Sequence, residues 1–354
     1  MSIKRFIKQS ILTATSYKPP IHRKDCIKLD LNENYSVLDK KLMKKIRQFD
    51  TFTTSSYPEY QELIPMVARY AGVPEECISL TNGSDHGIQL ILDLFFTKGD
   101  TVVIPSPIFF VYYHFLKIKE MTINEVLYTE ENGRYIFPFQ ETLKSLKAGV
   151  KGLILCNPNN PLGNSIPKDE FIELLQKTKK LDIPLIVDEA YFEYSDVDAT
   201  QYLSKYKNLI ILRTFSKAFG LSGMRLGYVI ADTEILHEMD KLKLAWSVNH
   251  CAVHAGITVL GEIPYFKKKI REQKKIKNEL YKVLSAQGIQ CYTTDTNFLI
   301  CKDPNYSDTI SRLNESGILI NDVSHYPYSG TLLKNAFRIN VPSRDDLDLL
   351  SHIL

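Results

Sequence analysis

Lys217 stands in the run Arg213-Thr214-Phe215-Ser216-Lys217-Ala218-Phe219-Gly220-Leu221-Ser222-Gly223-Met224-Arg225-Leu226-Gly227, just after the apolar stretch Leu209–Leu212. A lysine amine attacks carbonyl carbon only after losing its proton, and partial burial near other cations lowers its pKa. Arg225 and the hydroxyls of Thr214 and Ser216 suit a phosphate dianion, and Gly223 and Gly227 let the backbone approach it closely. A loop lysine by itself is usually a surface residue; this one has an anion site written beside it.

Two further segments carry groups of the same chemistry. Thr81-Asn82-Gly83-Ser84-Asp85 follows Cys77–Leu80 and opens a helical pattern of Ile88, Ile91, Leu92 and Phe95. Free N–H groups at such a helix start, with the helix dipole, bind phosphate, although Asn82 or Ser84 would equally serve as an ordinary N-cap. Asp188-Glu189-Ala190-Tyr191 follows the apolar run Ile183–Val187. A carboxylate at the end of a central strand needs a cation or hydrogen-bond donors. A protonated pyridine nitrogen is one such partner, and pairing would keep that ring electron-withdrawing; a helix cap or local ion pair is the plainer alternative.

These groups must be placed by strands. Thr101–Ile104, Gly152–Cys156, Leu185–Val187, Leu209–Leu212 and Tyr228–Ile230 read as buried strands bounded by Gly, Pro, Asn or Asp, with helical spacing between several of them. That alternation predicts an α/β fold with a mostly parallel sheet covered on both faces. Ligands of such sheets sit at the carboxyl ends of the strands, where Asn157–Asn160, Asp188–Tyr191 and Thr214–Lys217 fall. From Ala245 onward the pattern changes to a long helix, Phe266–Leu284, and strand-like Asn297–Cys301 and Ala336–Val341, which predicts a smaller α+β domain. The division expected is an N-terminal segment, 1–50, packing with the small domain; a large domain, 51–244; and a small C-terminal domain, 245–354.

The 354 residues include 44% hydrophobic and 24% charged side chains, with a net charge of only +3, which gives no bulk signal for nucleic acid. The six cysteines make no CxxC pair, so a reduced, cytoplasmic protein without structural zinc is expected. The first 17 residues lack the core of about 7–15 apolar residues that a signal peptide needs, and no stretch nears the roughly 20 of a membrane helix.

The segment from Ser216-Lys217 to Gly227 resembles the lysine-attachment signature of fold-type I aminotransferases. The likeness extends over nearly the whole chain, with the histidinol-phosphate aminotransferase group of class I/II as its nearest form. The resemblance implies pyridoxal 5'-phosphate held on Lys217 as a Schiff base, within a seven-stranded large domain. It implies phosphate contacts at Gly83, Ser84, Asp85, Thr214, Ser216 and Arg225, and a ring stacked on Phe109. Asn160 and Tyr191 are implied to meet the ring oxygen and Asp188 the ring nitrogen. Tyr57, in Tyr57-Pro58-Glu59, resembles a tyrosine that reaches the cofactor phosphate of a neighbouring subunit, which implies a homodimer with shared active sites. Arg338, in Phe337-Arg338-Ile339-Asn340, resembles the arginine that holds a substrate carboxylate or other anion. Tyr17 resembles a tyrosine closing over substrate, and Asn32 and Asn160 are expected beside the substrate too. The implied reaction is a ping-pong transfer from an amino acid of glutamate type to an oxo substrate, with Lys217 as the proton carrier.

The chain departs from that pattern in places. Asn32-Glu33-Asn34 is followed by Tyr35 rather than proline, Pro161 by Leu162 rather than threonine, and Phe109 stands for a common tyrosine. Asn321 stands where histidinol-phosphate enzymes commonly carry an arginine. Ala245-Trp246-Ser247-Val248-Asn249 and His325-Tyr326-Pro327 resemble threonine-phosphate decarboxylases of the same fold, so decarboxylation of a phosphorylated amino acid is the alternative reaction. Other signals read as packing. His250 and His254 have metal-ligand spacing without a third ligand, so no metal is expected. The eight basic residues of Phe266–Leu284 read as one solvated helix face rather than a nucleic-acid patch. Tyr112 and Tyr113 read as core. No nucleic-acid or membrane partner is expected.

Overall fold

The computed structural model describes residues 3–16 and 23–354. In chain order the strands are β1 (Ile27–Leu29), β2 (Ile78–Thr81), β3 (Thr101–Ser106), β4 (Thr122–Leu127), β5 (Thr129–Glu131) and β6 (Arg134–Ile136). Then follow β7 (Val150–Cys156), β8 (Leu185–Asp188), β9 (Leu209–Thr214) and β10 (Gly227–Ile230). The last four are β11 (Gln290–Tyr292), β12 (Phe298–Lys302), β13 (Ile318–Asp322) and β14 (Ala336–Asn340).

Seven strands form the large sheet in the order β2-β10-β9-β8-β7-β3-β4. All neighbours are parallel except β10, which runs antiparallel to both β2 and β9. The central strands are apolar throughout because each face meets a different core. Leu185 and Val187 of β8 join one cluster with Leu153 and Leu209, while Ile186 joins another with Ile154 and Ile210. Edge strand β4, Thr-Ile-Asn-Glu-Val-Leu, has only Val126 buried, so it carries no apolar run to read. The strand ends beside the site are pinned by a buried ion pair: Arg213 of β9 holds Glu189 at 2.7 Å, both almost wholly buried.

The second sheet has the order β1-β13-β14-β12-β11. β1 is parallel to β13, and its Ile27, Lys28 and Leu29 pair with Ile318, Leu319 and Ile320. One face packs Leu299 and Ile339 against Leu280 and Leu284 of the helix Ile263–Ala286. The other turns Phe298 and Ile300 toward the large sheet's core. The helix His250–Leu260 also belongs with that core, where Ala252, Val253 and Val259 join Leu63 and Val67.

Its two histidines serve packing. The His254 ring lies 3.1 Å from the Lys45 carbonyl oxygen, and His250 meets Phe52 edge-on at 5.5 Å. The long basic helix corrects one expectation: of its eight basic residues, Lys277 is buried rather than solvated. Among the described residues, no helix is long and apolar enough to cross a membrane.

Candidate active site

A cavity of about 530 Å³ opens at the carboxyl ends of β7, β8 and β9, whose last residues Cys156, Asp188 and Thr214 all line it. Lys217 enters it from the bend after β9, and its Nζ donates to the Leu31 carbonyl oxygen at 3.0 Å. Burial, followed by Arg338, brings the Lys217 ammonium down to about 8; Asp85 and Glu33 oppose the shift. The amine is therefore poised to exchange its proton near neutral pH.

Asp188 closes the cavity floor. Its two bonded partners are neutral donors, the Tyr112 hydroxyl at 3.2 Å and the Ala190 N–H at 3.1 Å. Burial pushes its carboxyl up to about 7. A cationic ring N–H would supply the charge that these donors lack. Beside it, the Tyr191 oxygen accepts from Asn32 Nδ2 at 2.8 Å, which leaves the phenolic proton to donate elsewhere. Burial holds that phenol at about 12, so it stays a donor across the physiological range.

The opposite wall suits a phosphate. The helix Gly83–Phe95 begins there with Ser84 and Asp85 on the cavity. Thr214 Oγ1 donates to Ser216 Oγ at 2.9 Å and accepts from the Ser216 N–H at 3.1 Å. Arg225, itself at a left-handed φ of 55°, binds Asp85 Oδ2 at 3.0 Å and the Ser222 carbonyl at 3.1 Å. Gly83 has φ +74°, and a Cβ there would lie 2.5 Å from Arg225 Nη2. A Cβ there would push the guanidinium aside, and the positive φ by itself favours glycine at this corner.

Asn160 is locked to the second sheet: its Oδ1 accepts from Arg338 Nη1 at 2.6 Å. Arg338 also donates to the Asp30 carbonyl at 3.0 Å, and its Nε is buried without a partner. Asn321, across the sheet from Arg338, donates to that same Asp30 carbonyl at 3.2 Å.

The structure thus brings Ser84, Asp85, Phe109, Asn160, Asp188 and Tyr191 onto one cavity. Thr214, Ser216, Lys217 and Arg225 complete it. Gly83 and Asn32 stand just behind the wall, touching Arg225 and Tyr191. Tyr57 lies apart, 72% exposed and stacked on Trp246 at 4.3 Å. Tyr17 falls outside the described residues.

Sequence reasoning missed the Leu31 carbonyl, which no residue type announces, and the Tyr112 hydroxyl. Tyr112 is fully buried as core, yet it also serves Asp188. Its spacing at the start of the helix Phe110–Ile118, just after Phe109, was the available signal.

A buried acid matched to a ring N–H, an amine that sheds its proton near neutrality and a glycine-shaped anion corner fit pyridoxal phosphate. The comparisons agree. The family model for aminotransferase class I and II matches residues 24–353. Histidinol-phosphate aminotransferase of Caldanaerobacter subterraneus subsp. tengcongensis is 34% identical over 336 residues, covering 92% of each chain. Histidinol-phosphate aminotransferase 1 of Carboxydothermus hydrogenoformans is 32% identical over 354 residues, covering 98% of this chain and 97% of the relative.

Among solved structures, histidinol-phosphate aminotransferase from Sinorhizobium meliloti in complex with pyridoxal-5'-phosphate superposes with a TM-score of 0.86. It is 24% identical and covers 98% of this chain and 95% of its own. L-threonine-O-3-phosphate decarboxylase from Porphyromonas gingivalis has a TM-score of 0.77 at 22% identity, covering 92% and 98%, so it shares the fold. This chain belongs to the class I and II aminotransferase family. It is a pyridoxal phosphate-dependent transaminase, acting on small-molecule amino and oxo substrates.

Proposed function

We propose that the chain moves an amino group from an amino acid of glutamate type to an oxo substrate, in the manner of the histidinol-phosphate aminotransferases it resembles. The observation that carries this reading is the meeting of Lys217, Asp188 and the Arg225 corner on one cavity, with Arg338 behind its wall and bonded to Asn160, which lines it. When bound, the cofactor supplies a carbonyl that condenses with amines and a ring that withdraws electrons.

Lys217 would hold the cofactor through its amine, and the same amine would carry the proton from the substrate α-carbon as general base. Asp188 would accept the ring N–H, and Tyr191 and Asn160 would bond the ring oxygen. Phe109 would cover the ring. Ser84, Asp85, Thr214, Ser216 and Arg225 would hold the phosphate, with Gly83 giving them room. Arg338, through a guanidinium with a buried free Nε, takes the substrate's anionic group, and Asn32 and Asn160 flank it. Tyr17 is proposed to close over substrate.

A homodimer is part of the proposal. Tyr57 and Trp246 stack as an exposed aromatic pair, and Tyr57 is the residue assigned to the partner's cofactor phosphate. The division into 1–50, 51–244 and 245–354 is supported by the second sheet, which β1 forms with β11 to β14 and no strand of the middle stretch. A cytoplasmic setting is supported by six free cysteines.

The test is spectroscopic. Purified protein should show a visible band that amino donors bleach, and Lys217→Ala should abolish the band; a preparation that stays colourless with added cofactor overturns the reading. The same bleaching screen, run with glutamate, histidinol phosphate and non-phosphorylated analogues, identifies the substrate. Carbon dioxide released from phosphothreonine would instead assign decarboxylation.

A further inference from the structure

Lys277 is the basic residue on the long helix Ile263–Ala286 that points inward, with 8% of its surface exposed. Its Nζ donates to the Thr294 carbonyl at 2.5 Å, the Thr296 carbonyl at 2.6 Å and Thr294 Oγ1 at 3.3 Å. Three donors meet three acceptors, all on one loop. Burying an ammonium is costly, and an apolar side chain in its place is often neutral or stabilising. What the ammonium adds over an apolar filler is direction: it fixes two main-chain carbonyls, those of Thr294 and Thr296, just before Asn297.

Asn297 passes that order to the cavity. Its Nδ2 donates to the Asn32 carbonyl at 3.2 Å. Asn32 holds a left-handed φ of 55°, a conformation asparagine tolerates better than most residues and that its neighbours here hold in place. The second support comes from Asn340, whose Oδ1 accepts the Asn32 N–H at 3.1 Å. So clamped, Asn32 donates to the Tyr191 oxygen at 2.8 Å, and the carbonyl of neighbouring Leu31 receives Lys217 Nζ. On its other side the loop touches the chain that follows Asn160, where the Asp295 N–H donates to the Gly163 carbonyl at 2.7 Å.

We infer that Lys277 is a positioning residue for the transamination, its ammonium holding the Thr294–Asn297 loop so that Asn297 and Asn32 set the Tyr191 hydroxyl and the carbonyl facing Lys217. The inference rests on the assignment of Tyr191 and Lys217 to the cofactor. Burial brings the Lys277 ammonium down to about 8, with Asp295 opposing the shift and Lys274 adding to it, so all three donors are present at neutral pH.

The experiment compares holoenzymes. Lys277→Met keeps length and apolar bulk but removes the donors. Its kcat should fall roughly tenfold, about 1.4 kcal/mol, with KM nearly unchanged. The pH midpoint of the visible cofactor band should move by about half a unit or more, as the setting of Tyr191 and Lys217 changes. Leu284→Ala, a core truncation on the same helix, should lower Tm while leaving kcat and midpoint as in the parent. Asn297→Ala breaks the next link and should reproduce the midpoint shift, which keeps the test open if Lys277→Met does not fold. Parental kcat and midpoint in Asn297→Ala, or in Lys277→Met whatever its Tm, overturn the inference. A band that survives Lys217→Ala would sink the underlying assignment instead, so the two failures are separable.

Discussion

Asp188 and Lys217 face opposite demands in one cavity: the acid has to stay charged while buried, and the amine has to lose its charge. The structure sets both near neutrality, at about 7 and about 8. Asp188 gives a prediction about stability. Its folded value is raised from 3.8, so between about pH 4 and pH 7 the folded chain keeps a proton that the unfolded chain has released. The stability this group contributes is fully present below pH 4 and is lost as pH rises through 7. Cofactor-stripped protein should therefore melt lower at pH 8 than at pH 5, with a smaller difference in Asp188→Asn. Added cofactor should recover more stability at pH 8 in the parent than in the variant. Equal melting profiles for the two stripped proteins would contradict the assignment. At this scale the side-chain chemistry was legible. Lysine, aspartate and arginine declare what they can do, and their places after apolar runs say where. A backbone acceptor such as the Leu31 carbonyl, or a hydroxyl hidden in an apolar helix such as that of Tyr112, leaves no comparable mark.

The elements aim those residues. The phosphate corner exists because the helix Gly83–Phe95 and the turn carrying Arg225 come within contact, with Gly83 facing the guanidinium. Gly83→Ala would add a Cβ against Arg225 Nη2 at a positive φ, and overpacking of this kind costs roughly 1–3 kcal/mol. Cofactor dissociation should accordingly become about tenfold or more easier, measured by equilibrium dialysis or by quenching of protein fluorescence. Unchanged affinity would show that Arg225 can yield without loss. The central strands were legible because burial on both faces makes them apolar runs. Edge strand β4 and the short β1 were not, since β4 exposes most of its length and β1 has three residues. Lys277 shows the same limit on a helix: eight basic residues look alike in a pattern, and only the fold of the Thr294–Asn297 loop singles one out.

For the whole molecule, the exposed stack of Tyr57 on Trp246 is the feature a second copy would cover. Light scattering should give twice the chain mass of 40.6 kDa. Tyr57→Phe should loosen the cofactor without splitting the pair, because the phenyl ring retains the contact and only the hydroxyl is lost. A fully active monomer would exclude the shared site. The pairing of β1 with β13 joins residues 27–29 to 318–320. At about 5–20 residues per second, β1 leaves the ribosome roughly 15–60 s before its partner does. Through that interval the segment carrying Asn32 has no sheet to join, and the carbonyl that meets Lys217 has no fixed address. A competent site must wait for the final stretch of translation, so a ribosome stalled before β13 would hold a chain that cannot yet work.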